Sequence, residues 1–120
     1  MANDYFEFVR IIETMYLSLS LVTIVVIMIL TFGDRDTESI WNGIRVKNMS
    51  LDLQNVGRRK LRILNNSQTI TDLRIPPSDR LEKLNGNLVG FCSIRINNQW
   101  RIIFQWIEGQ SEQVKIVDYH

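Results

Sequence analysis

The chain is poor in the residues from which metal and disulfide chemistry are built. It holds one cysteine, Cys92, so neither a disulfide framework nor a thiolate cage can form within it. Its one histidine is His120, which excludes a multi-histidine zinc site. No metal and no cofactor is expected. The two prolines are adjacent, at 76 and 77, so proline punctuates the chain at one place only. There is no internal repeat and no low-complexity segment. Charge of one sign is also scarce: the net value is +1, too weak to argue for nucleic acid by itself.

What is present is ordinary for a globular protein. Of 120 residues, 45% are hydrophobic and 22% charged, which fits one domain. The small net charge hides an asymmetry. Residues 1–27 hold one basic residue, Arg10, against Asp4, Glu7 and Glu13. The remainder is therefore more basic than the whole, with Arg58, Arg59, Lys60 and Arg62 bunched together. Such a cluster permits an RNA partner. The solvated face of a helix explains such a cluster more often.

The run Met15–Phe32 carries no charge and on its own is a candidate membrane span. The flank before it is acidic rather than basic, and no small-residue cleavage site follows, which argues against a secretory signal. Met28–Phe32 reads as the first strand of the domain. If those residues enter a sheet, Met15–Ile27 is too short to span a bilayer as a helix, which takes roughly 17–25 residues. The expectation is a cytoplasmic domain over 28–120. Residues 1–27 are then an apolar extension ahead of a native start at Met28, with membrane association not expected.

After the first strand, Asp36 or Thr37 can cap a short helix through Asn42. Gly43–Ser50 reads as a basic loop with Arg45 and Lys47. Ser50 caps a second helix, in which Leu53, Val56, Lys60, Ile63 and Leu64 follow helical spacing, with Leu61 beside them. Thr69–Arg74 makes one more helical turn, and Pro76-Pro77 forces an extended path. Beyond the prolines the apolar period changes to two. Arg80–Leu84, Leu88–Ile96, Trp100–Ile107 and Gln113–Tyr119 read as strands, with turns at Gly86, Asn97–Gln99 and Glu108–Glu112. The predicted fold is α+β: two helices packed on one face of a mostly antiparallel sheet.

The second hairpin has a legible register. A three-residue loop, Asn97-Asn98-Gln99, pairs Ile96 with Trp100, Ile94 with Ile102 and Cys92 with Phe104. One face is then uniformly apolar, and register follows the buried face. The consequence on the other face is that Arg95 lies opposite Arg101. Facing like charges destabilise a sheet, so either both splay into water or an anion belongs beside them. Arginine suits phosphate, because its planar fork makes charge-assisted bonds.

The stretch DLRIPPSDRLEKLNGNLVGFCSIRINNQWRIIFQW, followed by VKIVDYH, resembles the HigB-type toxins of the RelE/ParE superfamily. ESIWNG and RRKLRIL upstream extend the resemblance, which covers Met28 to His120. It implies a compact RelE-like fold and a metal-independent RNA endonuclease that cuts mRNA in the ribosomal A site. It also implies a HigA-like helix-turn-helix antitoxin as partner. Arg101 matches the arginine that supports the scissile phosphate. Asp118, Tyr119 and His120 match a C-terminal catalytic cluster. Glu82 stands where the best-studied members carry histidine, and Asn85 where many carry lysine, which removes a cation from the site. An alternative within the same fold is a ParE-like inhibitor of DNA gyrase, or a catalytically weak toxin.

RNA cleavage without metal needs a base for the ribose 2′-OH, a cation for the extra charge, and an acid for the leaving 5′-oxygen. His120 has an unperturbed pKa near neutrality and suits acid or base. Glu82 can replace the family histidine as base. Tyr119 can orient a base or stack on one, and Asp118 can orient His120 or hold the terminal segment. Arg95, Lys83, Arg58, Arg59 and Lys60 are candidate RNA contacts.

Overall fold

The computed structural model describes Arg10 and residues 29–119. The expected start at Met28, His120 and the extension 1–27, apart from Arg10, lie outside the described residues. Among residues 29–119, two helices, α1 (Arg35–Trp41) and α2 (Leu51–Asn66), precede a sheet of β1 (Glu82–Lys83), β2 (Phe91–Arg95), β3 (Trp100–Ile107) and β4 (Gln110–Asp118). The strands lie in the order β1-β2-β3-β4, each pair antiparallel. The expected first strand is reduced to two parallel bridges, Ile29 with Ser111 and Phe32 with Val114. The α+β class, with two helices on a mostly antiparallel sheet, is therefore the one observed.

Helix α1 is capped slightly earlier than the sequence suggested. Asp34, not Asp36 or Thr37, accepts the Thr37 amide through its carboxylate at 2.8 Å. Thr37 is freed to face inward, where its hydroxyl accepts the Ile116 amide of β4 at 2.9 Å. Ser50 caps α2 as expected, accepting from Leu53 N. The buried stripe of α2 differs from the predicted one: it runs through Leu53, Gln54, Gly57, Leu61 and Leu64. Gly57 is its centre, because a Cβ there would sit 3.2 Å from Ile116 Cδ1 and 3.7 Å from Ile96 Cδ1. The missing side chain lets the helix come close to β4, and Lys60 turns to the rim of the packed face.

The core joins Ile40 of α1, Leu61 and Leu64 of α2, Leu73, and the inward face of the sheet: Cys92, Ile94, Ile102, Phe104, Val114 and Ile116. Each large apolar side chain so buried contributes roughly 1.5–3 kcal/mol. Gln54 is buried but fully used. It accepts from Val46 N and donates to the carbonyls of Val46 and Met49, clamping the basic loop to α2.

Thr69–Arg74 folds as a 3-10 turn over Ile70–Arg74. Pro76-Pro77 does not enforce an extended path throughout, since Pro77 opens a further 3-10 turn, Pro77–Asp79. Proline is tolerated at such a first position because no amide is needed there. These turns shorten the predicted strands: 80–84 becomes Glu82–Lys83, and 88–96 becomes Phe91–Arg95 after a 3-10 turn at Gly86–Leu88. The last turn is tighter than the predicted Glu108–Glu112. Glu108 and Gly109 both have positive φ, the geometry of a two-residue hairpin, so β4 begins at Gln110.

Candidate active site

The β2–β3 register is the expected one: Cys92 pairs with Phe104, Ile94 with Ile102 and Arg95 with Arg101. Because paired residues share a face and alternate residues share a face, the ladder sorts the candidates. Glu82 pairs with Ser93, and Arg101 pairs with Arg95 and Val117. Glu82, Ser93, Arg95, Arg101 and Tyr119 therefore lie on the sheet face turned away from the helices. Asp118 pairs with Trp100 and Lys83 with Cys92, which puts both on the helix-bearing side.

Arg101 is the centre of that outer face, and it does not splay into water. It is 8% exposed. Its Nε donates to Ser93 Oγ at 2.8 Å, and its Nη2 donates to the Arg80 carbonyl at 2.5 Å and the Ser93 carbonyl at 3.4 Å. Its Nη1 stands 3.9 Å from Glu82 Oε1. The Tyr119 ring lies over the guanidinium, with 5.5 Å from Cζ to the ring centroid. Tyr119 is 40% exposed and the Glu82 side chain 52%, so both are open to an incoming molecule. The arrangement is a buried cation with a carboxylate beside Nη1 and an aromatic ring over the guanidinium. A planar cation held in this way favours an anion that reaches Nη1.

The structure brings Arg101, Tyr119 and Glu82 together and separates Asp118 from them. Asp118 accepts from Gln99 Nε2 at 3.0 Å, and the Tyr119 amide donates to the Gln99 carbonyl at 2.7 Å. These bonds tie the terminal segment to the β2–β3 loop. Holding that segment is one of the two roles considered for Asp118; the other, toward His120, lies outside the described residues.

The other candidates divide as follows. Arg95 turns toward its own loop, with Nε on the Asn97 carbonyl at 3.1 Å and Nη2 on Asn98 Oδ1. Arg58 donates to the Ile40 carbonyl at 2.9 Å, at the last turn of α1. Lys60 is bound to Asp79, which is fully buried. Lys83 on β1, Arg59 and Arg62 on α2, and Asn85 are exposed. Among the described residues no cluster of histidine, cysteine, aspartate or glutamate can hold a metal ion, and no helix is long and apolar enough to cross a membrane.

Ser93 is the site residue that sequence reasoning missed. Its trace was present: it is the one small polar residue in β2, two positions before Arg95 and thus on the same face as Arg101.

Residues 32–120 match the family model of a RelE-like toxin of the type II toxin–antitoxin system HigB. The chain is 46% identical over 83 residues to Toxin HigB-1 of Vibrio cholerae serotype O1, an alignment that covers 68% of this chain and 87% of the relative. It is also 40% identical over 55 residues to an uncharacterized protein of Haemophilus influenzae, covering 46% of this chain and 54% of that one. On the match to the family model and the identity over most of the relative's length, the chain belongs to the HigB-like family of RelE-like toxins of type II toxin–antitoxin systems.

Proposed function

We propose that this toxin is a cytoplasmic, ribosome-dependent mRNA endonuclease that needs no metal. A type II toxin has an antitoxin partner; here the partner is a HigA-like helix-turn-helix protein. The observation that carries the reading is the fixed guanidinium of Arg101, with Nη1 beside the exposed Glu82 carboxylate and the Tyr119 ring over the group.

The chemistry follows from that placement. A base removes the proton of a ribose 2′-OH, and Glu82 or His120 takes this role. The 2′-oxygen attacks the adjacent phosphorus, and the bond to the 5′-oxygen breaks. The leaving oxygen takes a proton from the group acting as acid, leaving a 2′,3′-cyclic phosphate and a 5′-hydroxyl. Arg101 stabilises the extra negative charge on the phosphoryl oxygens. Such a fixed donor is worth about 3–4 kcal/mol where charge develops. Tyr119 offers its ring to the neighbouring base. The ribosomal A site supplies the positioning that a small open site lacks. Lys83, Arg59 and Arg62, exposed on the helix-bearing side, contribute phosphate contacts away from Arg101, and Arg95 reaches the site itself by leaving its loop.

The test is expression of the full chain with and without its neighbouring antitoxin gene, with primer extension on translated messages. Growth arrest with in-frame cuts, both abolished by Arg101→Ala and by His120→Ala in folded protein, is expected. Growth arrest with intact mRNA and inhibited DNA supercoiling by gyrase would overturn it.

A further inference from the structure

Arg101 does not hold itself in place. A guanidinium has five N–H donors in one plane, so fixing two of its nitrogens fixes the direction of the third. Here Nε is taken by Ser93 Oγ, while the carbonyls of Arg80 and Ser93 accept from Nη2. The remaining nitrogen, Nη1, stands 3.9 Å from the Glu82 carboxylate, whose side chain is 52% exposed. The first anchor is set by the ladder. Ser93 sits diagonally from Arg101 on the same face, within reach of a long side chain, and is 0% exposed. A hydroxyl so buried needs a partner, and the arginine is that partner.

The second anchor is delivered by an unusual backbone. Arg80 closes the 3-10 turn Pro77–Asp79 with φ 45, in the left-handed region, which a residue with a side chain adopts at a cost of roughly 1–2 kcal/mol. The turn is held by Asp79, 0% exposed, through its ion pair with Lys60 of α2. A left-handed residue locked in place on one side and bonded to a buried arginine on the other is a built feature of the site.

We propose that Ser93, together with the Arg80 carbonyl, is the positioning device of Arg101, which aims a single edge of the guanidinium at the phosphoryl oxygens. The proposal rests on the reading that Arg101 takes the scissile phosphate. Ser93 touches no substrate and acts only through the arginine. It converts Arg101 from a forked clamp, which would grip substrate and transition state alike, into a one-edge donor set in advance at the position where charge develops.

The experiment compares full-length Ser93→Ala, Ser93→Thr, Arg101→Ala, Arg101→Lys and Ser93→Ala/Arg101→Lys in ribosome-dependent cleavage of a defined message. Ser93→Ala is expected to keep its fold and ribosome affinity and to lose roughly tenfold in single-turnover rate, the equivalent of one 1.4 kcal/mol interaction. Ser93→Thr, which returns the hydroxyl, restores it. The Arg101 Nε–H resonance, slow to exchange in the parent, becomes fast in Ser93→Ala. In the Arg101→Lys background the Ser93→Ala change has no further effect, because the group it positions is gone. Full cleavage by Ser93→Ala beside an inactive Arg101→Ala would overturn the positioning role alone. An equal loss in both backgrounds would also overturn it, by showing a purely structural serine. Full cleavage by Arg101→Ala would remove the phosphate reading beneath it.

Discussion

Arg95 and Arg101 are direct partners across the β2–β3 ladder, and their guanidinium groups leave it by different routes. Arg101 goes inward to Ser93 and Arg80, while Arg95 folds back onto the Asn97 carbonyl and the Asn98 side chain. The facing charges are thereby separated. The two residues should differ in what they contribute to stability. Arg101→Met strands a buried hydroxyl and a carbonyl, which costs about 1–3 kcal/mol. Arg95→Ala removes bonds that water can replace, a loss expected below about 1 kcal/mol. Denaturant midpoints of the two variants measure the difference, and equal losses would mean that Arg101 is not structurally bound.

The Lys60–Asp79 pair predicts an asymmetry of its own. Asp79 Oδ2 is buried without a hydrogen-bond partner, so the carboxylate depends on the lysine. Lys60→Met leaves a buried charge uncompensated and is expected to destabilise by about 3 kcal/mol. Adding Asp79→Leu removes that charge and should recover most of the loss. The reverse outcome, with the double variant less stable than the single, would show that Asp79 has other support.

A pH effect is expected at the 3-10 turn Ile70–Arg74. The amides of Thr69 and Gln68 donate to the Asp72 carboxylate at 3.0 and 2.9 Å and hold its pKa below the usual carboxylate range. A depressed folded-state pKa gives stability that is present above the unfolded value, about 3.9. That stability is lost as pH falls through the lower folded value. The turn should therefore loosen below about pH 4, seen as faster hydrogen exchange at Gln68 and Thr69 once the intrinsic rate is divided out. Asp72→Asn should flatten the response. A pH-independent protection factor in the parent would contradict it.

Much of this was legible in the chain because the relevant physics is local. Ser50 before an apolar-periodic stretch gave the start of α2, and the alternation Cys92–Ile94–Ile96 against Trp100–Ile102–Phe104 gave the hairpin register and so the facing arginines. What was not legible depends on long-range contact. Leu53, Leu61 and Leu64 are buried on α2 as their spacing predicts, but Gly57 carries no hydrophobicity and is buried because Ile116 and Ile96 lie against it. Asp34 was passed over as a cap because Thr37 is needed 79 residues away, at Ile116. Ser93 looked like any strand serine until Arg101 was placed beside it. The split of Asp118 from Tyr119 follows from strand alternation and was available in principle.

Tyr119 offers the most direct test of how the open face works. Its ring, not its hydroxyl, is the part placed over Arg101, 5.5 Å from Cζ to the centroid. A face contact of this kind is worth about 0.5–1 kcal/mol at an exposed site, and stacking on a base adds roughly 1–3 kcal/mol. Tyr119→Phe keeps both and loses only the hydroxyl. It should therefore retain cleavage within a few-fold of the parent, while Tyr119→Ala should fall by roughly tenfold or more. Because the residue is 40% exposed, neither variant should shift the melting temperature by more than a few degrees. Single-turnover cleavage across pH separates the two possibilities. If Tyr119→Phe is as impaired as Tyr119→Ala, the hydroxyl is the working group, and Tyr119 transfers or relays a proton rather than holding a base in place.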